Sequence, residues 1–109
     1  MAYDEALADR VRDALAGRNG VREQKMFGGI AFMVDGHMTV GVVNDELMAR
    51  VGADGEDEAL AQPHARVMDF TGRPMTGFIQ VAAEGVATGD DVRAWVERSL
   101  AYTTTLPPK

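Results

Sequence analysis

Between Tyr3 and Leu15 the apolar residues recur at helical spacing. Tyr3, Leu7, Val11, Ala14 and Leu15 share one stripe, and Glu5, Asp9, Arg12 and Asp13 lie mostly off it. The spacing predicts a helix over 4–16, with Asp4 as N-cap and Gly17 where it stops. From Val21 the helical period is lost. Residues 22–26 read as an extended lead-in to a strand over 29–34, in which Ile30, Phe32 and Val34 alternate with Ala31 and Met33. Asp35-Gly36 is a two-residue hairpin signal, because a type I′ turn needs positive φ at both positions. The returning strand covers 37–43, Asn44-Asp45 is a second tight turn, and a third strand covers 46–51.

Polarity then changes. Glu56, Asp57, Glu58, Ala59, Leu60 and Ala61 favour a short helix, with its acids at the first turn and Pro63 beyond it. Two further strands are predicted over 65–70 and 76–82, with Thr71-Gly72-Arg73-Pro74-Met75 as a longer hairpin loop. Thr88-Gly89-Asp90-Asp91 matches the capping pattern of a last helix, whose inward stripe is Val92, Trp95, Val96, Ser99 and Leu100. Phe32, Val40, Val42, Phe70, Ile79, Val92, Trp95 and Val96 are the expected core. Strand runs joined by tight turns and set apart from helices describe an α+β fold, an antiparallel sheet with helices on one face.

With 109 residues, 1–109 is read as a single domain, long enough to bury a core without staples. The absence of cysteine removes disulfides, thiolate metal sites and cysteine nucleophiles, and fits a cytoplasmic location. No signal peptide and no membrane span is visible. Glycine, alanine, valine, aspartate and arginine bias with only two lysines points to a GC-rich bacterial genome. The net charge of −6 makes the average field repulsive to nucleic acid, and 45–58 holds six acids against Arg50 alone.

Candidate chemistry is sparse. Gly28-Gly29 offers backbone N–H groups to a phosphate but lacks P-loop spacing and precedes a strand, which favours a bulge or a close backbone crossing. His37 and His64, the only histidines, have no ligand spacing around them and read as half-exposed. Six of the seven methionines, Met26, Met33, Met38, Met48, Met68 and Met75, are scattered over several strands and read as gap-filling core, with a soft metal site or an adaptable binding surface as the alternatives. Ser99, the only serine, lies on the last helix and has no histidine to pair with. Arg73 sits on a Gly-Arg-Pro turn, where a guanidinium can fork onto an anion. Lys25 and Arg66 join it if the sheet brings their strands together, with Phe27 and Met75 adding apolar contact beside Gly28 and Gly29. No catalytic residue, metal site or cofactor is assigned.

Lys25-Met26-Phe27-Gly28-Gly29-Ile30-Ala31-Phe32-Met33, Gly36-His37-Met38 and Met68-Asp69-Phe70-Thr71-Gly72-Arg73-Pro74-Met75 resemble the TfoX/Sxy N-terminal domain, from the first helix to the Trp95 helix. The resemblance implies a two-layer α+β sandwich in the order helix-β3-helix-β2-helix. Full-length members regulate natural competence in some bacteria and carry a further C-terminal domain, so a stand-alone N-terminal domain is expected here. The resemblance brings no catalytic residues with it. The expected role is a regulatory protein–protein interaction module. A small-molecule or anion binder, or an enzyme, using the Lys25–Arg73 region is the alternative, and a homodimer is an open arrangement.

Duplex DNA is not an expected partner of this chain alone. Arg10 and Arg12 interleave with Asp9 and Asp13, and Arg93 follows Asp90 and Asp91, so no helix has a basic recognition face. A fluorescence-anisotropy titration with random duplex at about 150 mM salt, the physiological regime, should show no submicromolar binding. Tight binding that weakens steeply with salt would contradict this expectation.

Overall fold

The computed structural model describes residues 3–26, 28–70 and 73–107, and the side chains of Met26, Asp69, Phe70, Arg73, Pro74 and Met75 lie outside that description. Asp4 caps the first helix as its side chain requires: one carboxylate oxygen accepts from the Ala6 N–H at 2.9 Å and the Leu7 N–H at 3.2 Å. Helix α1 (Glu5–Ala14) buries Leu7, Ala8 and Val11 and stops at Ala14, two residues earlier than its periodicity suggests. Six strands follow the first turn: β1 (Val21–Met26), β2 (Gly29–Val34), β3 (His37–Val43), β4 (Glu46–Arg50), β5 (Ala65–Phe70) and β6 (Arg73–Val81). Helix α2 (Glu56–Leu60) connects β4 to β5. A 3-10 turn (Ala83–Val86) leads into α3 (Gly89–Thr103), whose N-cap Thr88 accepts the Asp91 N–H at 3.1 Å.

The strands form one antiparallel sheet in the order β1-β2-β3-β4-β6-β5. Asp35 (φ 52°) and Gly36 (φ 87°) both take positive φ, the type I′ geometry, and Val34 pairs with His37 across them. This register sends Ile30, Phe32, Val34, Val40, Val42, Leu47, Ala49, Ile79 and Val81 to one side of the sheet. There they form a single buried cluster with Leu7 and Val11 of α1, Ala59 of α2, and Val92, Trp95, Val96 and Leu100 of α3. The expected core residues are thus buried, except for Phe70, whose side chain lies outside the described residues.

The layout differs from helix-β3-helix-β2-helix in two places. The lead-in over 22–26 is a full strand, so four strands precede α2. The sequence hides β1 because, as an edge strand, it carries a run of exposed polar residues from Arg22 to Lys25 instead of an alternating apolar set. Of the long loop expected over 71–75, residues 73–75 belong to β6, and 71–72 lie outside the described residues. Phe70 pairs with Arg73 and Asp69 with Pro74, and β6 begins three residues earlier than its apolar run. Pro74 is tolerated because β4 pairs only with the Phe78–Val81 part of β6, so this end of β6 needs hydrogen bonds on one side only.

A bulge shapes β3. Phe32 pairs with Val40 and Met33 with Met38, so Thr39 is skipped. Thr39 turns toward α3, fully buried, and its hydroxyl lies 3.2 Å from both the Thr103 hydroxyl and the His37 carbonyl, to either of which it can donate its one proton. At the β1 edge, Arg12 grips Glu23 bidentately, Nε and Nη2 each donating at 2.9 Å, and bonds Asp9 through Nη1 at 2.6 Å. These hydrogen bonds from Arg12 hold the Glu23 carboxyl below its ordinary value.

Trp95→Ala should lower stability by ~3–5 kcal/mol, the usual effect of deleting a large aromatic from a core, read by circular dichroism in a urea titration. A loss under ~1 kcal/mol would show that α3 does not depend on this contact. Because Glu23 has a lowered folded-state pKa, its stabilising effect is fully present above the unfolded carboxyl value of about 4.3 and is lost as pH falls through the folded value. Glu23→Gln should therefore be less stable than wild type at pH 7 and indistinguishable from it near pH 2. The difference at pH 7 should stay under ~1 kcal/mol because solvent screens this half-exposed pair.

Candidate functional site

The sheet separates the residues that the sequence grouped around Lys25 and Arg73. Lys25 is exposed on β1, opposite Ile30, and Arg66 is exposed on β5. These are the two outer strands of the sheet, five spacings or about 24 Å apart along its width. Gly28 and Gly29 lie at the turn joining β1 to β2, and Arg73 lies at the turn joining β5 to β6. Following the antiparallel ladders, these turns fall at opposite ends of the sheet as well as at opposite edges. Arg66 is also engaged: its guanidinium donates to Glu46 at 2.7 Å, and the same carboxylate oxygen accepts from the Gln80 amide. Phe27, and the side chains of Arg73 and Met75, lie outside the described residues.

Gly29 is a close backbone crossing. A Cβ there would lie 2.2 Å from the Val42 carbonyl oxygen and 2.8 Å from Val43 Cγ2, while Gly28 takes φ +77° in the turn. His64 is exposed, but His37 is buried, where half-exposure was expected. Its Nε2 lies 2.6 Å from the Pro107 carbonyl oxygen, so the segment after α3 covers it. Among the described residues no three His, Asp or Glu side chains converge as a metal site would require. A cleft of about 450 Å³ between α2 and α3 contains Asp54, Glu58, Arg98 and Tyr102, but Arg98 donates to Glu58 at 2.9 Å and no nucleophile faces a base there.

The feature that stands out is the second face of the sheet, opposite the helix cluster. The residues alternating with the core set are Ala31 and Met33 on β2, Gly41 and Val43 on β3, Glu46, Met48 and Arg50 on β4, and Phe78 and Gln80 on β6, so the stretch over β2 and β3 is apolar and polar side chains begin at β4. An antiparallel strand with one solvated face normally alternates apolar with polar residues. Strand β2 reads Gly-Ile-Ala-Phe-Met-Val, with no polar residue on either side. The β3 bulge brings Met38 onto this outer face beside Met33. A Cβ on Gly41 would lie 2.8 Å from Met48 Cε and 3.3 Å from Met38 Cε, so the glycine leaves room for both methyl groups over the backbone. Met48 is buried, and Met33, Met38, Val43 and Phe78 are half-buried. Arg22, opposite Met33 on β1, is exposed at one rim. At the same end of the sheet Arg50, opposite Phe78, lies over the Phe78 ring at 5.7 Å and the Tyr102 ring at 5.5 Å. The reading of the methionines as core fits Met48 and Met68 in that both are buried, although Met48 lies on the outer sheet face and neither belongs to the helix-side cluster. Met33 and Met38 belong to the outer surface. The sequence signal for this face was the missing polar alternate in β2.

These elements define an α+β domain whose six-stranded antiparallel sheet carries helices on one face and an apolar stretch over β2 and β3 on the other. The TfoX N-terminal domain matches residues 13–102, a span that runs from the end of α1 through all six strands into the last turn of α3, and the chain belongs to that family. No curated protein matches it in sequence.

Proposed function

We propose that the chain is a regulatory protein-binding module that docks a partner on the outer face of its sheet. One observation carries this reading: β2 is apolar on both faces and β3 is apolar on its outer face, while the helix cluster covers only the other side of the sheet. Half-buried methionines suit such a role, because an unbranched thioether side chain repacks easily against differing shapes. The regulatory part of the reading follows from the role that the family resemblance implies. A small-ligand site in the Lys25–Arg73 region is less well supported, since the strand order holds those residues apart.

Met38→Asp places a charge on this face without touching the helix cluster. Wild type and Met38→Asp should show the same circular dichroism spectrum and the same Trp95 fluorescence. Tagged copies of both, used for capture from native cell extract with mass-spectrometric identification, should differ: proteins retained by wild type should fall at least tenfold with the variant. Equal capture by the two folded proteins would overturn the proposal.

A further inference from the structure

The charge on this molecule is unevenly placed. Helices α1, α2 and α3 and the 3-10 turn hold ten acids and four bases, which accounts for the whole net charge of −6, so the strands and loops together are neutral. On the outer face the carboxylate of Glu46 is taken up by Arg66 and Gln80. Arg22 and Arg50 remain at the rims of the methionine patch, and neither forms an ion pair among the described residues. Their order across one end of the sheet is Arg22 on β1, Met33 on β2, Met38 on β3, and Arg50 on β4 facing Phe78 on β6. The two arginines stand three strands apart, about 14 Å.

We infer that the partner presents an acidic amphipathic segment to this face, its apolar side on Met33, Met38 and Phe78 and its carboxylates on Arg22 and Arg50. The inference rests on the protein-binding reading above and names the chemistry of the partner. A spacing of about 14 Å corresponds to acids two to three turns apart on a helix, given a rise of about 5.4 Å per turn. Arg50 is suited to the task because its guanidinium is already held against two aromatic rings, so little freedom is lost when a carboxylate arrives. A second copy of the chain is a poorer occupant. Face-to-face pairing would set arginine rims against each other. Stacking the acidic helix layer on the sheet face is a head-to-tail contact that does not close into a dimer.

The test uses two fluorescein-labelled peptides of about fourteen residues, long enough for three to four helical turns. Both carry a leucine stripe at helical spacing; one has glutamates two to three turns apart on its flanks, the other lysines at the same positions. In anisotropy titrations with the full chain the glutamate peptide should bind at least tenfold more tightly than the lysine peptide. The variant Arg22→Glu/Arg50→Glu should lose at least tenfold for the glutamate peptide and gain affinity for the lysine peptide. Should that variant fail to fold, Arg22→Glu/Arg50→Gln, which keeps a long polar side chain beside the two rings, gives the same comparison. Equal binding of both peptides, or indifference to the arginine variants, would overturn the inference. So would tighter binding of random duplex DNA or of phosphatidylglycerol vesicles than of the glutamate peptide, since the face would then be reading polyanions. Loss of extract capture by Met38→Asp together with indifference to peptide charge would overturn this inference alone. Capture unaffected by Met38→Asp would overturn the protein-binding reading itself.

Discussion

The register of β2 against β3 is the constraint on which the rest of the structure depends. Because side chains alternate with period two, a slip of one residue would exchange the two faces of the strand. Asp35 and Gly36, both at positive φ, permit only a two-residue loop and so fix Val34 opposite His37. Ile30 and Phe32 then meet Val42 and Val40, and that apolar layer is what the helices can bury. The bulge at Thr39 adds a second adjustment. It turns a hydroxyl toward α3 and frees Met38 to join Met33 on the other face. One short turn and one extra residue therefore decide both what the core contains and what the outer face presents.

Helix α3 closes the core, and its placement is determined at both ends. Thr88 takes up an N–H at the start. At the other end, the Thr103 hydroxyl donates to the Ser99 carbonyl at 3.1 Å and meets Thr39 from the sheet. Trp95, Val96 and Leu100 lie between these anchors within the buried cluster. The segment beyond α3 is held where His37 meets the Pro107 carbonyl. Thr39 and His37, two polar residues at the start of β3, thus position the end of the helix against the sheet. That same end of the sheet carries Met33, Met38 and Arg50.

Much of this fold was legible in the sequence wherever a local rule applied without competition. Strands β2 and β3 follow from alternation and the Asp-Gly turn, α1 and α3 from their caps and stripes. The parts that escaped have physical reasons. Strand β1 has no apolar alternation because it is an edge, and an edge strand is built from charge. The start of β6 contains Pro74, which argues against a strand unless one side is unpaired, and the sequence does not say where β4 ends. The bulge at Thr39 leaves no compositional mark at all. The grouping of Lys25, Arg66 and Arg73 needed a strand order, which alternation cannot supply: placing β6 between β4 and β5 puts Lys25 and Arg66 on opposite edges. The outer face, by contrast, was visible in β2, where both alternating sets are apolar. Reading that pattern correctly requires asking what covers each side of the strand separately.

The sheet has another route to a partner, through its edges, and the residues argue against it. An unpaired strand is a template for strand addition, and proteins that do not use it guard it with charge. Strand β1 presents Arg22, Glu23, Gln24 and Lys25 in succession, all exposed, and Arg12 clamps Glu23 from the helix above. On the far edge β5 has Arg66 held by Glu46, which anchors that strand to β4 across β6. Addition of a foreign strand at β1 would bring its side chains against this charged row and disturb the Arg12–Glu23 pair. The outer face carries no comparable guard. Its centre is methionine, glycine and alanine, and its charges stand at the rims. A surface with charge at the periphery and adaptable apolar groups at the centre has the anatomy of a docking site, with rim arginines to orient a partner and a core to hold it.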